Sequence, residues 1–207
     1  MTLDSPNQIL YWTDAALRHI EMASLDCTCD LPGCSGNICR KIIVDLSGED
    51  RPRAIVVGNG YIFWSDWGSN PRIERAFQDG SNRLTLVSDR ILWPNGLALS
   101  PDKNVLFFLE AFVNEGKIEQ INIDGTGRKV IFRMDSNNSK WRNVVYWTIN
   151  NFQNKLYMWG PNEAIRSLEK NENDEWTDSY FSSLKNGYMI ATADLTQKRS
   201  VKPEFIN

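Results

Sequence analysis

One short pattern recurs along the chain and limits what it can fold into: an aromatic pair or its apolar equivalent, one more residue, then an acid. It reads Tyr11-Trp12-Thr13-Asp14, Phe63-Trp64-Ser65-Asp66, Phe107-Phe108-Leu109-Glu110 and, in degenerate form, Tyr157-Met158-Trp159-Gly160. From Tyr11 to Phe63, Phe107 and Tyr157 the starts lie 52, 44 and 50 residues apart. Each copy is followed by an isoleucine (Ile20, Ile73, Ile118, Ile165), and the next residue is Glu21, Glu74, Glu119 and, in the last copy, Arg166. Recurrence at 44 to 52 residues marks a chain made of stacked units that cannot bury their apolar faces alone.

The best-preserved copy is the stretch from Gly60 to Val87. An aromatic-rich strand, Tyr61 to Ser65, is closed by Asp66 and the turn-prone Gly68-Ser69-Asn70-Pro71. An apolar segment around Ile73 leads to a turn at Asp79-Gly80, and Arg83 to Val87 then alternates as a strand does. A further short strand precedes the motif: Pro52 to Val57 before the second copy, Pro94 to Leu99 before the third. Met1 to Asp4 reads as its remnant in the first copy, and Asn143 to Trp147 as a version without Pro and Gly in the fourth. Four short strands per unit, with no 3.6-residue periodicity, predict an all-β chain of the propeller type rather than a helical solenoid. The expected units are 1–46, 47–89, 90–133 and a degenerate 134–183, with 184–207 as closing strand and tail.

These residues resemble the YWTD, or class B, repeats of the low-density lipoprotein receptor family. The motif itself, Trp64 to Gly68 with Ile73 to Ala76 and Asp79 to Arg83, and Trp93 to Leu99 carry the likeness, which covers about residues 1 to 170. The resemblance implies a six-bladed β-propeller, present here as about four blades plus a candidate closing strand at Tyr188 to Leu195. It also implies structural roles for Tyr11, Trp12, Asp14, Trp64, Asp66, Gly80, Arg83, Pro94 and Gly96. The function it implies is non-enzymatic binding of a protein or lipoprotein by the ectodomain of an endocytic, single-pass membrane receptor. The segment would lie on the extracellular or endosomal-lumen side, beside EGF-like modules. A Wnt-type co-receptor and a nidogen-like matrix linker share the repeat, and a calcium-dependent propeller hydrolase is the remote alternative. An open arc of blades would leave two sheet faces bare, so the polypeptide alone is expected to be unstable or oligomeric.

The bulk properties agree with a binding module. A net charge of −3 over 207 residues does not favour nucleic acid or an anionic membrane. No apolar run approaches the roughly 20 residues needed to cross a bilayer, so direct membrane insertion by this segment is not expected. The first residues lack the basic start and apolar core of a signal peptide, which places any targeting parts outside this sequence.

The first unit carries an insertion, residues 27–39, with Cys27, Cys29, Cys34 and Cys39 where the other copies have a short turn. Two disulfides suit an extracellular setting, and a four-thiolate zinc site is the rival reading. His19 is the single histidine, and its place at a strand start reads as surface. No phosphate loop, His-Glu-x-x-His or Gly-x-Ser-x-Gly is present, so no catalytic residue and no cofactor is expected. The acids Asp14, Asp66 and Glu110 recur at strand ends, which points to turn capping rather than to a carboxylate cluster. Trp67, Arg72, Trp93 and Phe112 lie in or beside loops and are the candidate ligand contacts. Asn137 opens a glycosylation sequon.

Overall fold

The computed structural model describes residues 1–25, 39–111, 116–134, 146, 148–160 and 165–182. It has four sheets of four antiparallel strands, each a simple meander. Sheet 1 comprises β1 (Thr2–Asp4), β2 (Ile9–Asp14), β3 (His19–Ser24) and β4 (Arg40–Asp45). Sheet 2 comprises β5 (Pro52–Gly58), β6 (Tyr61–Asp66), β7 (Arg72–Phe77) and β8 (Leu84–Val87). Sheet 3 holds β9 (Pro94–Leu99), β10 (Val105–Glu110), β11 (Lys117–Asn122) and β12 (Lys129–Arg133). Sheet 4 holds β13 (Thr148–Phe152), β14 (Lys155–Trp159), β15 (Ile165–Lys170) and β16 (Trp176–Ser182). The recurring motif forms the second strand of every sheet.

First strands pack on first strands, β1 on β5, β5 on β9 and β9 on β13, so the sheets radiate like blades from that common line. Between them lie three cores. Tyr11, Ile20 and Met22 meet Ile55, Ile62 and Trp64 between sheets 1 and 2. Phe63 and Ile73 meet Leu97, Leu106 and Phe108 between sheets 2 and 3. Phe107, Leu109 and Ile118 meet Ile149, Leu156 and Met158 between sheets 3 and 4. Successive side chains of a strand point to opposite faces, so Phe63 serves one core and Trp64 the other. Two adjacent bulky residues in each motif are therefore what a sheet covered on both sides requires.

Glycine is demanded where units touch. At Gly80, with φ of +88°, a Cβ would stand 1.8 Å from the carbonyl oxygen of Ile43, because the β7–β8 turn is nested against sheet 1. At Gly96 a Cβ would meet the Ile149 nitrogen at 2.6 Å, where β9 and β13 pack. Of the strand expected at Asn143 to Trp147, all but Tyr146 lies outside the described residues. The first strand of sheet 4 is Thr148–Phe152, which pairs Thr148 with Trp159 through Phe152 with Lys155. Gln153 and Asn154 both adopt positive φ and close a tight hairpin, which sets this register without the glycine of the Asn59-Gly60 turn. The proposed closing strand at Tyr188 to Leu195 lies outside the described residues.

Candidate ligand face and the ion pairs beneath it

In a four-stranded meander, the loops after the second strand and the connections to the next sheet emerge at the same end. In sheet 1 that loop holds Leu17, in sheet 2 it holds Trp67, and the β8–β9 connection holds Leu92 and Trp93. All four are exposed apolar side chains, with Trp67 at 40% and Trp93 at 44%. Burial of large aromatics is the rule, and these two indoles stand exposed at one end of adjacent sheets. The Arg53 guanidinium lies 4.3 Å from the centre of the Trp67 ring and holds it by a cation–π contact. Phe112 and Asn137 lie outside the described residues, as do Cys27, Cys29 and Cys34. Cys39 is buried and disulfide-bonded.

Directly beneath this face lies a set of buried ions that repeats from sheet to sheet. Glu21, Glu74 and Glu119, each 3% exposed or less, occupy the same position on the third strand. Each is gripped by two guanidinium nitrogens of an arginine near the start of the outer strand. Arg83 reaches Glu74 at 2.9 and 2.8 Å, and Arg128 reaches Glu119 at 2.8 and 3.1 Å. Arg40 holds both oxygens of Glu21. The same arginines stand over the motif aromatics, Arg40 over Trp12, Arg83 over Trp64 and Arg128 over Phe108, at 5.5, 5.6 and 5.7 Å. The fork of the guanidinium matches a carboxylate, which makes this a firm latch between third and fourth strands.

A second basic residue stands two residues before each glutamate. Arg72 pairs with Glu74 at 2.9 Å and Asp50 at 2.9 Å, and lies 3.6 Å from Asp66. Lys117 pairs with Glu119 at 2.7 Å and Glu110 at 3.4 Å. In sheet 1 the corresponding residue is His19, whose Nε2 lies 2.8 Å from Glu21 Oε1. His19 is thus buried rather than on the surface, because it fills the slot of a structural cation. Asp14, His19 and Glu21 could together approach a metal ion, but the Arg40 guanidinium already occupies both oxygens of Glu21.

The acids that end the second strands tie down neighbouring backbone. Asp14 Oδ1 accepts from the amides of Ala16 and Leu17, and Asp66 Oδ1 from those of Arg51 and Gly68. Glu110 Oε1 accepts from the Leu92 amide. These bonds anchor the loops that display Leu17, Trp67 and Trp93. Sheet 4 inverts the latch. Arg166 stands at the glutamate position and pairs with Asp178 of the outer strand at 3.4 Å. Asp178 lies opposite Leu168, two residues beyond Arg166, just as Arg40 lies opposite Ala23, two beyond Glu21. The recurring Glu and Arg were visible in the sequence, but their pairing was missed there.

Residues 60–99 match the low-density lipoprotein receptor repeat class B. Those residues carry one low-density lipoprotein receptor class B repeat. It is 33% identical over 133 residues to the vitellogenin receptor Yl of Drosophila melanogaster, a match covering 63% of this chain and 6% of that protein. It is 36% identical over 126 residues to the low-density lipoprotein receptor-related protein 5-like protein of Homo sapiens, covering 60% of this chain and 45% of that one. The chain therefore spans less than half the length of each of these curated relatives. Among solved structures it is similar to a chain of the nidogen/laminin complex, with a TM-score of 0.63 and 26% identity, over 81% of this chain and 57% of that one. The match to residues 60–99 runs from near the start of β6 to the end of β9, and the relatives are proteins named as receptors or receptor-related. No helix among the described residues is long and apolar enough to cross a membrane.

Proposed function

We propose that this class B repeat segment is part of the ligand-binding ectodomain of an endocytic receptor for a protein or lipoprotein. The carrying observation is the pair of exposed indoles, Trp67 and Trp93, on loops pinned by Asp66 and Glu110 at one end of adjacent sheets. Aromatic side chains held by a rigid scaffold are the usual centres of binding energy at protein interfaces. Relatives named as vitellogenin receptors make yolk lipoprotein the first ligand to try. The segment would face the outside of the cell or the endosomal lumen, next to EGF-like modules of the same receptor, with any disulfides of the Cys27–Cys39 insertion formed in that oxidising setting.

The test is surface-plasmon binding of vitellogenin and other lipoprotein particles to the full chain. Trp67→Ala and Trp93→Ala are each expected to weaken binding by about tenfold or more while leaving the melting temperature nearly unchanged. Binding that ignores both substitutions would sink the reading. A matrix-linker role is the second reading, favoured by the likeness to the nidogen/laminin complex, and laminin in the same assay separates the two.

A further inference from the structure

At the opposite end from Trp67 and Trp93, a cleft of about 460 Å³ opens between sheets 3 and 4. Its volume falls in the range of small-molecule sites, roughly 300–1,000 Å³. Phe107 of β10 and Trp176 of β16 form its aromatic side, with ring centres 5.8 Å apart and planes at 78°. Asn151, Gln153 and Asn154 form the amide side.

Asn151 is out of place by the logic of the repeat. It pairs with Leu156, and the corresponding partners are Leu3 with Leu10, Val57 with Ile62 and Leu99 with Leu106. Sheets 1 to 3 thus place an aliphatic residue where sheet 4 places an amide, on the face turned to the preceding sheet. The Asn151 Oδ1 is shielded from solvent and accepts no hydrogen bond from a described residue. Such an acceptor costs about 1–3 kcal/mol unless something donates to it. Trp176 departs from the pattern too. The β15–β16 turn, 171–175, replaces the Asp-Gly turn of sheets 2 and 3, and Trp176 directly after it lines the cleft.

The charged side chains that line the cleft stand in ion pairs. Lys155 pairs with Glu169 at 2.5 Å, and Lys170 with Asp174 at 2.5 Å. Among the described lining residues neither a phosphate nor a carboxylate finds a lysine outside such a pair. An aromatic floor, a row of amides and paired charges suit a neutral polyol with one apolar face. We propose that this cleft binds a neutral saccharide. The C–H face of a pyranose packs on Trp176, whose ring face is electron-rich. Ring hydroxyls exchange hydrogen bonds with the amides of Gln153 and Asn154, and one donates to Asn151 Oδ1 once that amide turns toward the cleft. The occupant is a free sugar or the terminal residue of a glycan.

This site is independent of the Trp67 and Trp93 face, so either proposal can fail without the other. The test titrates the full chain with glucose, galactose, N-acetylglucosamine, lactose and maltose, followed by calorimetry and saturation-transfer NMR. At least one sugar is expected to bind at millimolar concentration or below, with transfer to its C–H protons quenched by Trp176→Ala. Asn151→Leu restores the residue type of the other sheets. It is expected to raise the melting temperature and weaken binding by about tenfold or more, which keeps loss of binding distinct from loss of fold. No binding by any of the five sugars overturns the proposal, as does affinity unchanged in Asn151→Leu.

Discussion

Glu119 is nearly inaccessible and still holds its charge. Burial pushes its carboxyl up, but hydrogen bonds from Arg128 and Lys117 outweigh that and hold it below the usual carboxylate range. Glu21 is likewise held low, chiefly by the hydrogen bond from Arg40. A carboxylate whose pKa is depressed on folding lends stability above its unfolded pKa and loses it as pH falls through the folded value. The latches should therefore survive mild acid, with their contribution falling away only below about pH 4. Glu119→Gln is expected to cost about 3 kcal/mol at neutral pH by leaving Arg128 and Lys117 without their shared partner. It should also flatten the acid limb, so that mutant and parent melting temperatures converge as pH drops in a calorimetric series. The recurrence of glutamate after isoleucine was legible in the sequence, but its partner was hidden. Glutamate and arginine are 9 residues apart in sheets 2 and 3 but 19 apart in sheet 1, where the cysteine insertion intervenes. The same concealment applies to His19, which looked peripheral because nothing in its local sequence reveals the slot that Arg72 and Lys117 fill elsewhere.

At the level of the strand and sheet, the inverted latch of sheet 4 gives a direct test of whether these ion pairs are interchangeable units. Arg166→Glu sets an acid against Asp178, and Asp178→Arg sets two guanidinium groups together. Each single change is expected to lower stability by about 2 kcal/mol, and the double change to recover more than half of the combined loss. Urea unfolding of the four proteins measures the coupling, and simple additivity would show the pair to be idle. Four strands per unit could be read from alternation and turn chemistry, because Asn59-Gly60 and Asp79-Gly80 announce their turns. Sheet 4 was legible only in part. Its first hairpin turns at Gln153-Asn154, which lacks the glycine that marks the Asn59-Gly60 turn. The exposure of Trp67 and Trp93 also needed coordinates, since an aromatic in a loop can as readily pack between sheets.

Across the whole molecule, equivalent positions show which faces are built to be covered. Trp64, Phe108 and Met158 are wholly buried against the preceding sheet, whereas Trp12, the same position in sheet 1, is partly exposed. Tyr157 in sheet 4 is partly exposed where Phe63 and Phe107 are buried against the sheet that follows. Both outer faces of the arc thus carry side chains suited to a neighbouring sheet. The isolated 207-residue polypeptide is accordingly expected to associate, with a sedimentation coefficient that rises with concentration. A concentration-independent monomer that melts in one cooperative step would contradict this. The reversed ion pair of sheet 4 bears on how such a chain arose. If the sheets descend from one duplicated unit, reversal needed two changes at a buried site. Taken one at a time and by direct exchange, either order passes through like charges in contact. On that descent, the path to sheet 4 leads through a weakened pair or through a neutral residue at one of the two positions.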